Sequence, residues 1–173
     1  ALPAGDPGVD IYLETLLERT GCHLIKPKPL MKEVILGASL SDEDQTLLKN
    51  EGVLETGETV ELFYTSAYRS ILNDGNMLTN RRIVSYEKYG FDEDVSVYAC
   101  EYGLIKALWD TTSDEEQIKI EIFHANDACN AESFIIILPS ARQATQSFIS
   151  QLEKRTGKKI IVPEQCMRQV VKA

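Results

Sequence analysis

This chain is poor in the residues that most often betray a reaction. It has two histidines and one tryptophan. Neither His23 nor His124 lies near a His-Glu-x-x-His, Gly-x-Ser-x-Gly or phosphate-loop pattern, so no catalytic constellation can be assembled and an enzyme is not expected. The four cysteines, Cys22, Cys100, Cys129 and Cys166, are dispersed without a Cys-x-x-Cys pair. That spacing indicates neither a zinc cage nor a dithiol redox motif, and the thiols read mostly as small core residues. The acidic stretch from Phe91 to Ser96 lacks the interleaved ligands and following Glu of a calcium loop and reads as solvated. No metal or other cofactor is expected.

Long apolar runs are absent as well. The most compact one, Ser133 to Pro139 (SFIIILP), has the length of a strand and falls far short of the ~20 residues of a spanning helix. Positive charge is scarce: 18 Lys and Arg face 27 Asp and Glu, a formal net charge of −9. Such a field repels nucleic-acid phosphate, which excludes nucleic acid as a partner, and disfavours anionic membrane surfaces. The cytoplasm is the expected compartment, with membrane association and export left open. The first residue, Ala1, is equally compatible with Met removal, processing of an exported precursor, and further sequence upstream.

What the chain does contain is enough apolar matter, 43%, for a real core in 173 residues. Helical signals come first. Asp6 and Pro7 open a stretch in which Val9, Tyr12, Leu13, Leu16 and Leu17 recur at helical spacing until Gly21. Pro27 and Pro29 punctuate the next piece. Ser41, followed three residues on by Asp44, then marks the cap of a short second helix ending near Gly52. Residues 1–54 thus read as an N-terminal helical extension, too small to build a core of its own.

From Glu55 the rhythm becomes that of strands. The runs ETVELFYTSAYRSIL, GNMLTNRRIVSYEKYG, DVSVYACEYGLIKALWD, EQIKIEIFHAN and ESFIIILP alternate or are rich in Val, Ile, Phe and Tyr. Polar turns separate them, and the first turn is expected at Asp74-Gly75. A helix from Ser140 to Gly157 follows, with an apolar stripe at Ala141, Ala144, Thr145, Phe148, Ile149 and Leu152. Antiparallel strands closed by one amphipathic helix predict a mainly β, α+β fold. It would be a bent sheet or partial barrel with FIIIL central in its core and the C-terminal helix as its cap. Residues 158–173 form a tail.

The stretch from Thr56 to Lys88 resembles the opening of bacterial pleckstrin-homology-like (PH-like) and GRAM-like domains. It has a Gly-Glu start (Gly57, Glu58), a hairpin, and a Leu-Thr-Asn-Arg-Arg-Ile-Val strand from Leu78 to Val84. The resemblance extends over about residues 55–157 and implies the PH-like superfold, used for many kinds of binding. Inositide-binding members would carry several cations around the first hairpin loop. Here that region offers only Arg69 and sets Asp74 at the turn. On a strand side chains alternate in direction, so Arg81 and Arg82 point to opposite faces and cannot grip one phosphate together. One is then expected to be bound into the fold and the other solvated. Lys154, Arg155, Lys158 and Lys159 collect at the end of the last helix, where its dipole also favours cations.

Two roles follow. The first is a non-catalytic PH-like module for protein–protein interaction or self-assembly, in which open sheet edges and a groove beside the helix accept an extended peptide or another copy by strand addition. The alternative is a GRAM/PH-type adaptor for a membrane surface or lipid headgroup, built on some of Arg69, Arg81, Arg82, Lys154, Arg155, Lys158 and Lys159.

Overall fold

The structure is a computed structural model, and the residues it describes are 30–67, 70–88, 94–113, 117–127, 130–140 and 143–162. The helix expected between Asp6 and Gly21 lies outside them. The described chain is mainly β, with two sheets and two α-helices. Sheet A runs in sequential antiparallel order through β1 (Ile35–Leu36), β2 (Val60–Tyr64), β3 (Asp74–Thr79), β4 (Arg82–Glu87) and β5 (Ser96–Glu101). Sheet B has the order β8 (Asn130–Pro139), β7 (Gln117–Asp127), β6 (Ile105–Asp110), β9 (Ile160–Ile161). Between β1 and β2 lies helix α1 (Asp42–Asn50), and between β8 and β9 lies helix α2 (Gln143–Thr156). No helix among the described residues is long and apolar enough to cross a membrane.

Sheet A is covered on both faces, which explains its nearly continuous apolar runs. In β4, Ile83 joins the core between the sheets while its neighbour Val84 joins the core beneath sheet A. Leu62 with Phe63, and Leu78 with Met77, divide in the same way. The inter-sheet core gathers Leu108, Ile120, Ile122, Ile136 and Leu138 from sheet B, closed by Phe148 and Leu152 of α2. Gly157, at φ +65°, then stops that helix in the left-handed region that favours glycine.

On the other face of sheet A, Leu40, Leu48, Val53 and Leu54 pack with Phe63, Met77, Val84 and Tyr86. Helix α1 is placed there by its cap: the Ser41 hydroxyl oxygen accepts the Asp44 N–H at 3.1 Å, as the spacing of these residues predicts.

Four local expectations are corrected. Asp74-Gly75 is not the hairpin turn; both residues lie inside β3, and the turn to β4 falls at Asn80 and Arg81. Asp74 is drawn into the sheet because its carboxylate accepts the Thr65 hydroxyl, the Ser66 N–H and the Ser66 hydroxyl at 2.8–2.9 Å. Gly75 is needed as glycine since a Cβ there would lie 2.4 Å from the Tyr86 hydroxyl oxygen. DVSVYACEYGLIKALWD is two strands, not one: a 3₁₀ turn at Tyr102–Leu104 carries the chain from β5 in sheet A to β6 in sheet B. The tail contributes β9, which runs parallel to β6.

The fourth correction concerns FIIIL, which lies in the core between the sheets through Phe134, Ile136 and Leu138 but not through Ile135. Its strand, β8, stands at one edge of sheet B among the described residues. Strand alternation buries Phe134, Ile136 and Leu138 and leaves Ile135 47% exposed.

Candidate functional site

The sequence-predicted cations fall into two groups, and Arg69 lies outside the described residues. Arg81 stands in the hairpin turn rather than on the strand, so alternation does not separate it from Arg82. Both reach the same carboxylate: Arg81 Nη1 lies 2.9 Å from Glu55 Oε2 and Arg82 Nη1 lies 3.0 Å from Glu55 Oε1. Their surroundings nevertheless differ. The Arg82 side chain is 14% exposed and forks onto Glu58, whose own side chain is fully buried, through Nε–Oε1 and Nη2–Oε2 bonds of 2.9 Å each. Arg81 is 47% exposed and its second partner, Glu101, is at 3.6 Å.

Local folding positions this cluster. The Thr79 hydroxyl oxygen accepts the N–H groups of Arg81 and Arg82, at 3.1 and 3.0 Å, and its proton goes to Glu58 Oε1 at 2.6 Å. The Glu55 N–H donates to Glu58 Oε2, also at 2.9 Å. Burial works against the Glu58 charge, but the Arg82 fork, the Thr79 hydroxyl and the Glu55 N–H outweigh it and hold the carboxyl below its ordinary value. Burial likewise works against the Arg82 charge, and Glu58 outweighs it and raises the guanidinium above its usual range.

The end of α2 arrives at the same turn. Arg155 reaches the Asn80 carbonyl, pairs with Glu61 of β2, and lies over the Tyr102 ring at 5.0 Å from its centroid. Lys159 pairs with Glu153 at 2.7 Å, and Glu153 also accepts the Ile160 N–H at 3.0 Å, fastening the start of β9 to the helix. Lys154 and Lys158 are exposed. The structure thus brings Arg81, Arg82 and Arg155 to one end of the molecule, and each arrives with a carboxylate already on it.

Sequence reasoning missed a different surface. Among the described residues β5 and β8 each lie at one edge of their sheets, and between them runs a trough in two joined parts of about 490 and 390 Å³. Tyr98, Ser133 and Phe134 line both parts. One end is bounded by Ile135, Ile137, Glu87, Lys119 and Glu121, the other by His124 and Glu132. Sheet A meets β8 here through side chains: Asn76 Nδ2 donates to the Ile137 carbonyl at 3.0 Å and the Ser85 hydroxyl to the Ile135 carbonyl at 3.2 Å. Beyond them the Tyr98 ring stands 43% exposed beside Ile135. The available signal was strand alternation, which turns Ile135 to the face of sheet B opposite Phe134 and Ile136, beside Glu121 of β7.

The β6 edge, by contrast, is occupied by β9, with Leu108 opposite Ile160 and Trp109 opposite Ile161. No protein-family model matches the chain, and neither a curated protein nor a solved structure matches it.

Proposed function

We propose that this chain is a non-catalytic binding module of the PH-like kind, acting in protein–protein interaction or self-assembly. The carrying observation is the trough between β5 and β8, edge strands of their sheets among the described residues, with Tyr98 and Ile135 displayed to solvent. Exposed apolar side chains grouped beside an unpaired sheet edge are what a protein-binding surface requires. The PH-like assignment draws on the order of elements. The antiparallel strands β2 to β5 are followed by the three-strand meander β6 to β8, and an amphipathic helix then packs Phe148 and Leu152 into the core between the sheets.

A lipid-headgroup adaptor is the weaker reading. Arg81, Arg82, Arg155 and Lys159 are engaged by Glu55, Glu58, Glu61 and Glu153, so an incoming phosphate would have to displace carboxylates from them. The test is paired: sedimentation with vesicles containing anionic and inositide lipids at low and physiological salt, beside light scattering over a protein concentration series. Concentration-dependent assembly without vesicle binding supports the proposal. Salt-sensitive vesicle binding, lost when Lys154, Arg155, Lys158 and Lys159 are changed together, would establish the adaptor instead.

A further inference from the structure

We infer that the trough between β5 and β8 is a docking site for an extended peptide of another protein, one in which apolar residues alternate with Lys or Arg. This rests on the interaction reading above and specifies its surface and partner.

Backbone and side-chain chemistry point to the same occupant. Among the described residues β5 pairs only with β4, so the backbone groups along its other side have no strand partner. On the facing edge, the carbonyls of Ile135 and Ile137 are already taken by Ser85 and Asn76. An added strand therefore has its ladder to make with β5 and its side chains to lay against β8. Side chains of an extended chain alternate in direction, so every second residue would face Tyr98, Phe134 and Ile135 while those between look outward. An apolar residue at each inward position matches that floor.

The charge of the trough selects the remaining positions. Its carboxylates Glu87, Glu121 and Glu132 outnumber its one Lys, Lys119, within a chain of formal net charge −9. This excess of carboxylates disfavours an acidic peptide and draws a cationic one. Sparse cations on this protein and an acidic rim on the trough are two sides of one complementarity. It is directed at a basic peptide rather than at phosphate.

The experiment pans a random nonapeptide library displayed on phage against the full chain. Enriched sequences are then measured as soluble fluorescent peptides by anisotropy on wild type, Ile135→Glu, Tyr98→Ala, Glu121→Lys and, as a surface control, Gln146→Ala on the outer side of α2. Tyr98 and Ile135 are exposed, so these variants should melt close to wild type. The expected consensus alternates apolar residues with Lys or Arg. Affinity should fall at least about tenfold in Ile135→Glu and Tyr98→Ala, weaken with rising salt, drop in Glu121→Lys, and stay unchanged in Gln146→Ala.

Absence of enrichment, an acidic consensus, or peptides that bind Ile135→Glu as well as wild type would each overturn the inference. Self-association abolished by Ile135→Glu, with no peptide enriched, would make the occupant a second copy and so overturn the stated partner while the interaction reading stands. Self-association indifferent to Ile135→Glu and Tyr98→Ala would leave that reading standing on another surface and remove the trough from it. Vesicle binding without association or peptide enrichment would end both.

Discussion

Arg82 and Glu58 face each other in a two-bond fork in which both charges are withdrawn from water: the Glu58 side chain is fully buried and that of Arg82 is 14% exposed. A pair of this kind is costly to break from one side, since the remaining charge is left buried without its partner. Arg82→Ala should therefore destabilise the protein by about 3–5 kcal/mol. Arg81→Ala removes a half-exposed pair and should cost roughly 0–1 kcal/mol. Chemical denaturation of the two variants checks this contrast, and equal midpoints would refute it.

Acid should find the same pair. The Glu58 carboxyl is held below its ordinary value of 4.5, so the folded state binds that proton less readily than the unfolded chain. Its contribution is present in full above the unfolded value and is lost as pH falls through the folded one. Urea midpoints followed from pH 7 downward should hold level and then decline below about pH 4.5. In Glu58→Gln the protein should be weaker at neutral pH and the decline shallower. A residual slope remains from Glu153, which the Lys159 ion pair also holds below its ordinary value against a smaller opposing effect of burial.

The amino-acid pattern made the strands, the Ser41 cap, the Gly157 stop and the buried stripe of the last helix legible, because each depends on neighbours within a few residues. The hairpin turn was misplaced because Asp-Gly is the stronger local turn signal. What defeats it is a contact nine residues distant in sequence, from Thr65 to the Asp74 carboxylate, which no local rule registers. Arg81 and Arg82 were separated by strand alternation that does not reach into the turn. The apolar run FIIIL is equally compatible with a sheet covered on both faces and with one covered on a single face; only the packing of sheet B, a non-local property, decides that Ile135 faces outward.

Gly75 and Tyr86 provide a test of that non-local packing. Tyr86 is 1% exposed, its ring lies over Gly75, and its hydroxyl donates to the Ile71 carbonyl at 2.5 Å. Gly75→Ala should cost about 1–3 kcal/mol by forcing ring and strand apart. In a Tyr86→Leu background, already weakened by loss of the ring and its hydrogen bond, the same glycine substitution should add little. A double-mutant cycle measures the coupling, and strict additivity would show that the ring is not what excludes the methyl group.

Phe148 tests the closure of the core between the sheets. It is fully buried in α2 and shares a core with Leu108, Ile120, Ile136 and Leu138 of sheet B. Phe148→Ala should cost about 3–5 kcal/mol as a large core truncation. Gln146→Ala, two residues away on the exposed side of the same helix, should lie within about 0.5 kcal/mol of wild type. Thermal melts of the two variants measure the difference that the helix face imposes.

Cys100 offers a reading of global opening without any substitution. It is 4% exposed on β5, opposite Ile83 of β4, and burial, with Glu101 adding to it, pushes its thiol up to about 11. At pH 8 only about one thiol in a thousand would then be ionised, and that one would still be screened from reagent. Iodoacetamide should leave Cys100 unmodified in the native protein. In urea, its labelling should follow the unfolding transition, with peptide mass mapping separating it from the other cysteines. Labelling at the rate of a free thiol in native buffer would mean that β5 parts from β4 far below the global transition. An edge that loose could not template the added strand proposed for the trough, so this measurement bears on the docking site as well as on the fold.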